Sequence, residues 1–130
     1  MNVEALISAA WEVRENAHAP YSNFKVGAAL VSACGRIYTG CNVENLSFGL
    51  TNCAERVAVG SGIADGVKRF ETIVIVADTK TPISPCGACR QVLAEFGVGK
   101  IVLANREETL EFSLNELLPR SQDGILDGAD

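Results

Sequence analysis

The run Thr72–Ala77 constrains the fold more than any other stretch of this 130-residue chain. After its first residue it is continuously apolar and rich in β-branched side chains, without the polar alternation of a strand that faces water on one side. A strand of this kind lies in the middle of a sheet that is covered on both faces. We therefore expect helices on both sides of a sheet that runs through these residues.

The remaining periodic segments supply those layers. In chain order they are a helix over 3–17, strands over 24–31 and 36–44, a helix over 54–64, the strand over 72–77, a helix over 87–96, strands over 101–104 and 110–112, and a short helix that Ser113 begins. This order predicts one α/β domain over residues 1–130, a three-layer α/β/α fold with a mixed five-stranded sheet. Residues 121–130, which are rich in glycine and aspartate, are expected to form a flexible tail.

Charge and hydropathy narrow the range of partners. The formal net charge is −5, and lysines and arginines do not gather into a stripe that could neutralise several phosphates. We therefore expect a small substrate and no polymeric nucleic acid. No segment stays apolar over the roughly 18 residues that a membrane span needs, so no membrane partner is expected either.

The cysteines and the first residues bear on the cellular compartment. Met1–Glu4 lacks the basic and apolar regions of a secretory signal, and five cysteines cannot all pair within one chain. Both observations favour a reducing cytoplasm.

Three cysteines and one carboxylate carry the chemistry. Cys86 and Cys89 are three positions apart at the start of a predicted helix, so both thiols can face one ion. Cys53 lies more than thirty positions upstream, and Glu55 follows it by two. Structural zinc sites usually use four protein ligands, whereas a catalytic site leaves one position for water. Three thiols and a nearby acid therefore indicate a hydrolytic zinc enzyme with one Zn²⁺ per chain.

The position of Glu55 requires a particular local geometry. Within a helix, side chains two residues apart point about 200° away from each other, so Cys53 must lie at or before the helix cap for the two groups to converge. The free N–H groups of that first turn favour a thiolate. Arg56, next in sequence, can offset the negative charge of a zinc ion that has three thiolate ligands.

The hairpin supplies polar groups. Asn42 and Glu44 are two positions apart, so a strand directs both to one face, where they offer donors and acceptors for a sugar hydroxyl.

Four separated motifs occur in the chain, at Phe24–Ala29, Gly40–Asn45, Cys53–Arg56 and Ser84–Gln91. They closely resemble, in sequence and order, those of the small, homotetrameric cytidine deaminases that act on free nucleosides, and the resemblance extends from about Ala19 to Pro119. It implies hydrolysis of cytidine and 2′-deoxycytidine to the uracil nucleosides with release of ammonia, where zinc activates water and Glu55 transfers protons.

The resemblance also implies the remaining roles. Cys53, Cys86 and Cys89 bind zinc, Phe24 packs on the base, and Asn42 and Glu44 hold the ribose. Main-chain groups near Ala54 and Ser84–Pro85 contact the pyrimidine edge, and the sites of a homotetramer lie at subunit interfaces.

Three positions depart from the family pattern. The family usually has a small residue in place of Leu46, a tyrosine in place of Phe48 and a phenylalanine in place of Gln122. The three departures allow a second hypothesis, in which the enzyme is a relative adapted to a modified cytosine nucleoside of the blasticidin type.

Other classes of function also remain open. The pair Cys86 and Cys89 alone would suit a thiol redox protein, and Cys34 or Cys41 would complete a structural four-cysteine zinc site. A non-catalytic binding protein is a further alternative.

Overall fold

The structure is a computed structural model that describes residues 2–126. Its elements are α1 (Val3–Arg14), β1 (Val26–Ser32), β2 (Ile37–Cys41), α2 (Ala54–Ala64), β3 (Phe70–Ala77), α3 (Gly87–Glu95), β4 (Lys100–Ala104), β5 (Thr109–Ser113) and α4 (Leu114–Leu117). A single 3-10 turn, Phe48–Leu50, lies in the loop between β2 and α2. No helix in the described part of the chain combines the length and the apolar character that a membrane crossing requires.

The five strands form one mixed sheet in the order β2-β1-β3-β4-β5 within the described range. β1 is antiparallel to both of its neighbours, β3 is parallel to β4, and β4 is antiparallel to β5. Because β2 and β3 are both antiparallel to β1, they run in the same direction and end at the same edge of the sheet. The register shows this directly, since Val26 pairs with Ala77 at the end of β3 and Gly27 pairs with Cys41 at the end of β2.

Helices cover both faces of the sheet, which confirms the predicted three-layer α/β/α fold. On one face α1 buries Leu6 and Ala10 in a cluster with residues of β1, β3 and β4. On the other face α2 and α3 bury Ala58 and Leu93 against Ile73 and other strand residues. Seven of the eight residues of β3 are buried, without interruption from Thr72 onward, so this strand is the centre of the sheet, as predicted.

Two predicted elements were too long at their C-terminal ends. α1 ends at Arg14 instead of Ala17, because His18 pairs with the chain beyond β2: its N–H donates to Asn42 O (3.0 Å) and its carbonyl accepts from Glu44 N (2.8 Å). β2 consequently ends at Cys41 instead of Glu44.

β1 begins at Val26, two residues later than predicted. Here the chain bonds to the side chain of Asn42 instead of to the backbone of a neighbouring strand. Asn42 Oδ1 accepts from Val26 N (2.9 Å), and Asn42 Nδ2 donates to Phe24 O (2.7 Å).

The first residues of the predicted tail contact α3. Gln91 Nε2 donates to Ser121 O (3.1 Å), and Gln122 Nε2 donates to Ala94 O (2.9 Å) near the end of that helix. Residues 127–130 of the predicted tail lie outside the described residues.

Two glycines let the helices approach the sheet closely. A Cβ at Gly27 would overlap the carbonyl oxygen of Ala10 in α1, and a Cβ at Gly40 would overlap the backbone of α2, within 2.9 Å of Ala58 Cα. A side chain at either position must push a helix away from the sheet.

Alanine substitution of Gly40 tests this packing, and the same substitution of Gly60, a glycine in the same region, is the control. Gly40→Ala should lower the free energy of unfolding by about 1–3 kcal/mol, because the added methyl group forces α2 away from β2. Gly60→Ala, at an exposed position of α2 with open space around it, should raise that free energy by about 0.5–1 kcal/mol. Urea unfolding in excess zinc measures both, and an unchanged or stabilised Gly40→Ala protein would contradict the packing.

Candidate active site

The three sequence-predicted cysteines meet at the sheet edge where β2 and β3 end. Cys53 is the N-cap of α2, Cys86 is the N-cap of α3, and Cys89 lies in the first turn of α3. Their Sγ atoms all lie within 4.8 Å of one another. Tetrahedral zinc with Zn–S bonds of 2.3 Å separates its sulfurs by about 3.8 Å, so the three side chains need only a small contraction to hold the ion.

The thiols already interact strongly with one another. A hydrogen bond from Cys89 is the main cause that lowers the pKa of Cys53 to about 5, and the Arg56 guanidinium lowers it further. The same hydrogen bond, together with burial, raises the pKa of Cys89. Three thiols this close together, two of them with shifted pKa values, form a set that a metal ion would hold by displacing their protons.

Arg56 lies beside this cluster. Its Nη2 donates to Cys53 Sγ (3.4 Å). Its Nε is buried and has no hydrogen-bond partner within residues 2–126. A guanidinium beside the thiols, with its Nε buried, suits a site that gathers several negative charges.

Helix geometry brings Glu55 next to the thiols, as the sequence required. Because Cys53 is the cap, Glu55 is the second residue of α2, and it is only 5% exposed. Burial raises the pKa of its carboxyl, and the charge on Cys53 raises it further. A buried carboxyl with a raised pKa keeps its proton to a higher pH than an exposed carboxyl does, which suits a group that passes protons to a substrate.

The cluster opens into a cavity of about 220 Å³. Its walls are formed by Phe24, Val26, Asn42, Thr51, Cys53, Ala54, Glu55, Ile83, Ser84 and Cys86. The structure thus brings Phe24, Asn42, Ala54 and Ser84 together with two of the thiols and Glu55. Pro85 is buried outside this lining, and its carbonyl accepts from Arg90 Nε (2.8 Å).

Glu44 lines an adjoining cavity of about 230 Å³. Its carboxylate accepts from Tyr21 N (3.0 Å), Ser22 N (3.2 Å) and the Ser22 hydroxyl, and the hydroxyl bond is the main cause that lowers its pKa. Thr51 contributes to the walls of both cavities. Sequence reasoning missed Thr51, although its place two residues before Cys53 in an extended segment was the available signal.

The three family departures lie in two different places. Leu46 and Phe48 are 78% and 70% exposed in the loop beside the adjoining cavity, where the Phe48 ring packs edge-on against Tyr21 at 5.7 Å. Gln122 lines a separate cavity of about 390 Å³ against Gln91 of α3.

Comparison with known proteins assigns the family. A family described as "Cytidine and deoxycytidylate deaminase zinc-binding region" matches residues 1–105, which is most of the chain. The chain belongs to this zinc-binding deaminase family. All three clustered cysteines and Glu55 lie inside the matched residues. The resemblance drawn from the four sequence motifs is confirmed, and a hydrolytic, zinc-dependent enzyme is supported over a thiol redox protein.

Individual relatives and solved structures agree. The cytidine deaminase of Sporosarcina psychrophila is 49% identical over 122 residues, which cover 92% of this chain and 90% of that relative. The crystal structure of cytidine deaminase from Burkholderia pseudomallei has a TM-score of 0.88 at 52% identity and covers 92% of this chain and 98% of that one. The blasticidin-S deaminase of Bacillus cereus is more distant, at 32% identity over 103 residues, 72% of this chain and 74% of that relative.

Zinc analysis of cysteine variants tests the metal site. Purified protein should contain about one zinc per chain, and Cys53→Ser should lose most of it, because removal of one of three thiolates leaves too few ligands. Cys34→Ser is the matched control, since Cys34 is exposed and lies outside the cluster. Full zinc content in the Cys53→Ser protein would show that the ion binds elsewhere.

Proposed function

We propose that this enzyme hydrolyses cytidine and 2′-deoxycytidine to uridine and 2′-deoxyuridine. One water is consumed, the bond between C4 and the amino nitrogen breaks, a C4 carbonyl forms and ammonia leaves. The observation that carries this proposal is the buried carboxyl of Glu55 beside three convergent thiols, at one end of a cavity that Phe24 also lines. The family match and the relatives named cytidine deaminase support it.

Proton transfer is the task of Glu55. When held by Cys53, Cys86 and Cys89, zinc supplies the activation of water for attack on C4. Glu55 takes one proton from the attacking water and passes it to the ring nitrogen. It then takes the second proton from the new C4 hydroxyl and delivers it to the amino group, so that the C4 carbonyl forms as ammonia leaves. Its raised pKa matches this role, since the protonated form persists to higher pH than in an exposed glutamate.

Charge balance around the ligands is the task of Arg56 and the helix ends. Three thiolates make a zinc site electron-rich, which opposes the loss of a proton from water. The guanidinium of Arg56 withdraws charge through its hydrogen bond to Cys53 Sγ, and the positive ends of α2 and α3 act in the same direction.

The adjoining cavities suit the two parts of a nucleoside. The base lies in the cavity next to Glu55, where the ring of Phe24 packs on it and the main chain near Ala54 and Ser84–Pro85 contacts its polar edge. The ribose lies toward the second cavity, within reach of Asn42 and Glu44. The amide of Asn42 already bonds to the backbone of Phe24 and of Val26 at the start of β1, so it presents its remaining donor and acceptor capacity in a fixed orientation.

A deaminase of a modified cytosine nucleoside, of the blasticidin type, is the second candidate. It is favoured only by Leu46 and Phe48 in the loop beside the ribose cavity and by the more distant relative of that name.

Homotetrameric assembly with sites at subunit interfaces is part of the proposal. Leu46, Phe48 and Leu50 are each at least 66% exposed in one short loop, and apolar side chains grouped in this way mark a surface that another protein covers. Sedimentation equilibrium should give four times the 13.8 kDa chain mass, and a monomer at micromolar concentration would contradict the assembly.

The reduced thiols that the zinc site needs also suit the cytoplasm.

Glu55→Gln tests the mechanism. The amide keeps the shape of the side chain but cannot carry the proton, so the rate of cytidine deamination should fall by about 10²–10⁴-fold while zinc stays bound. Glu12→Gln is the matched control, because Glu12 is exposed on α1, against the opposite face of the sheet, and should keep full activity. A Glu55→Gln enzyme that deaminates cytidine at the normal rate would remove Glu55 from the mechanism.

A further inference from the structure

Arg90 joins two carbonyl groups that lie far apart in the sequence. Its Nε donates to Pro85 O (2.8 Å), and its Nη1 donates to Leu117 O (2.7 Å) in α4. Both bonds are part-buried and have a cationic donor, so each is stronger than a bond between neutral groups. The guanidinium thus connects the loop before α3 to the C-terminal end of α4.

The first of these bonds acts on Cys86. The Pro85 carbonyl belongs to the peptide group that enters Cys86, and the Cys86 carbonyl belongs to the peptide group that leaves it. Arg90 holds both, since its side chain binds Pro85 O and its backbone N–H donates to Cys86 O (3.0 Å). Only φ and ψ of Cys86 connect these two planes, so fixing both planes sets the direction of the Cα–Cβ bond.

Packing does little to hold this cysteine. Cys86 is exposed, whereas Cys89 is buried and Cys53 is half-buried. The residues from Pro82 to Cys86 have no regular secondary structure, and the thiol itself contacts backbone only as the weak acceptor of Cys89 N (3.4 Å). A residue that fixes the backbone on both sides of Cys86 therefore has a direct effect on where its sulfur lies.

We infer that Arg90 is the positioning residue for the zinc ligand Cys86. Through Leu117 it also connects this ligand to the C-terminal segment, which runs from α4 to the end of the described residues. The inference rests on the zinc-dependent function proposed above. Arg90 acts through backbone carbonyls, and it has no place in the lining of the substrate cavity. Groups that orient metal ligands typically change metal affinity by about 10–100-fold when they are removed.

Zinc release tests this inference without reference to activity. Arg90→Lys keeps the charge but cannot reach both carbonyls with one planar group, and Arg90→Gln removes the charge as well. Loss of zinc to an excess of a chromophoric chelator should be about 10–100-fold faster in both variants than in the unsubstituted protein. The melting temperature in excess zinc should approach that of the unsubstituted protein, because added metal compensates for weaker binding.

Gln91→Ala is the matched control. Gln91 is the next residue of α3, and its side chain also holds the C-terminal segment, through Ser121 O (3.1 Å), without contacting the loop that carries Cys86. This variant should release zinc at the unsubstituted rate.

Each result decides the inference. Normal zinc release from both Arg90 variants would overturn it, and so would equally fast release from Gln91→Ala, which would assign the effect to docking of the C-terminal segment. Failure of both Arg90 variants to fold in excess zinc would also overturn it, by showing a general structural role. Unsubstituted protein that binds zinc and deaminates cytidine keeps the proposed function in all these cases, whereas protein that holds no zinc would contradict both.

Discussion

The shared direction of β2 and β3 is the constraint on which the site depends. Both strands are antiparallel to β1, so the chain leaves them at one edge of the sheet. The segments that follow begin α2 and α3, and the cap residues of those helices are Cys53 and Cys86. Two of the three clustered thiols, separated by more than thirty positions, thereby meet, and the cap geometry places Glu55 beside them. Gly27 and Gly40 permit this arrangement by letting the helices lie close to the strands.

This geometry brings several groups that can carry negative charge close together. The thiol of Cys53 lies beside Cys89 and accepts a hydrogen bond from the guanidinium of Arg56, and the carboxyl of Glu55 is buried next to them. A metal ion held by these thiols displaces their protons, so metal binding and folding stability are coupled. In the proposed mechanism the same geometry serves catalysis, because the buried carboxyl of Glu55 transfers protons next to the ion.

Much of the fold and of the candidate site could be predicted from sequence, because the periodicity of apolar residues and the spacing of the cysteines are local signals. The apolar run at the centre of the sheet and the position of Cys53 at a helix cap follow from such signals, and the family motifs extend them. The ends of α1 and β2 and the start of β1 could not be predicted, since the first two depend on His18 pairing beyond β2 and the third depends on the Asn42 side chain replacing a backbone partner. The contacts of Arg90 were equally invisible, because Leu117 is brought near only by the folded chain.

The proposed reaction removes ammonia from an unmodified cytosine nucleoside. Ammonia release by zinc-containing protein, measured in parallel with cytidine, 2′-deoxycytidine, free cytosine and blasticidin S, distinguishes this reaction from its alternatives. Both unmodified nucleosides should turn over, and free cytosine should react little, since Asn42 and Glu44 then have no sugar to hold. Inert cytidine together with rapid turnover of blasticidin S would contradict the proposed reaction.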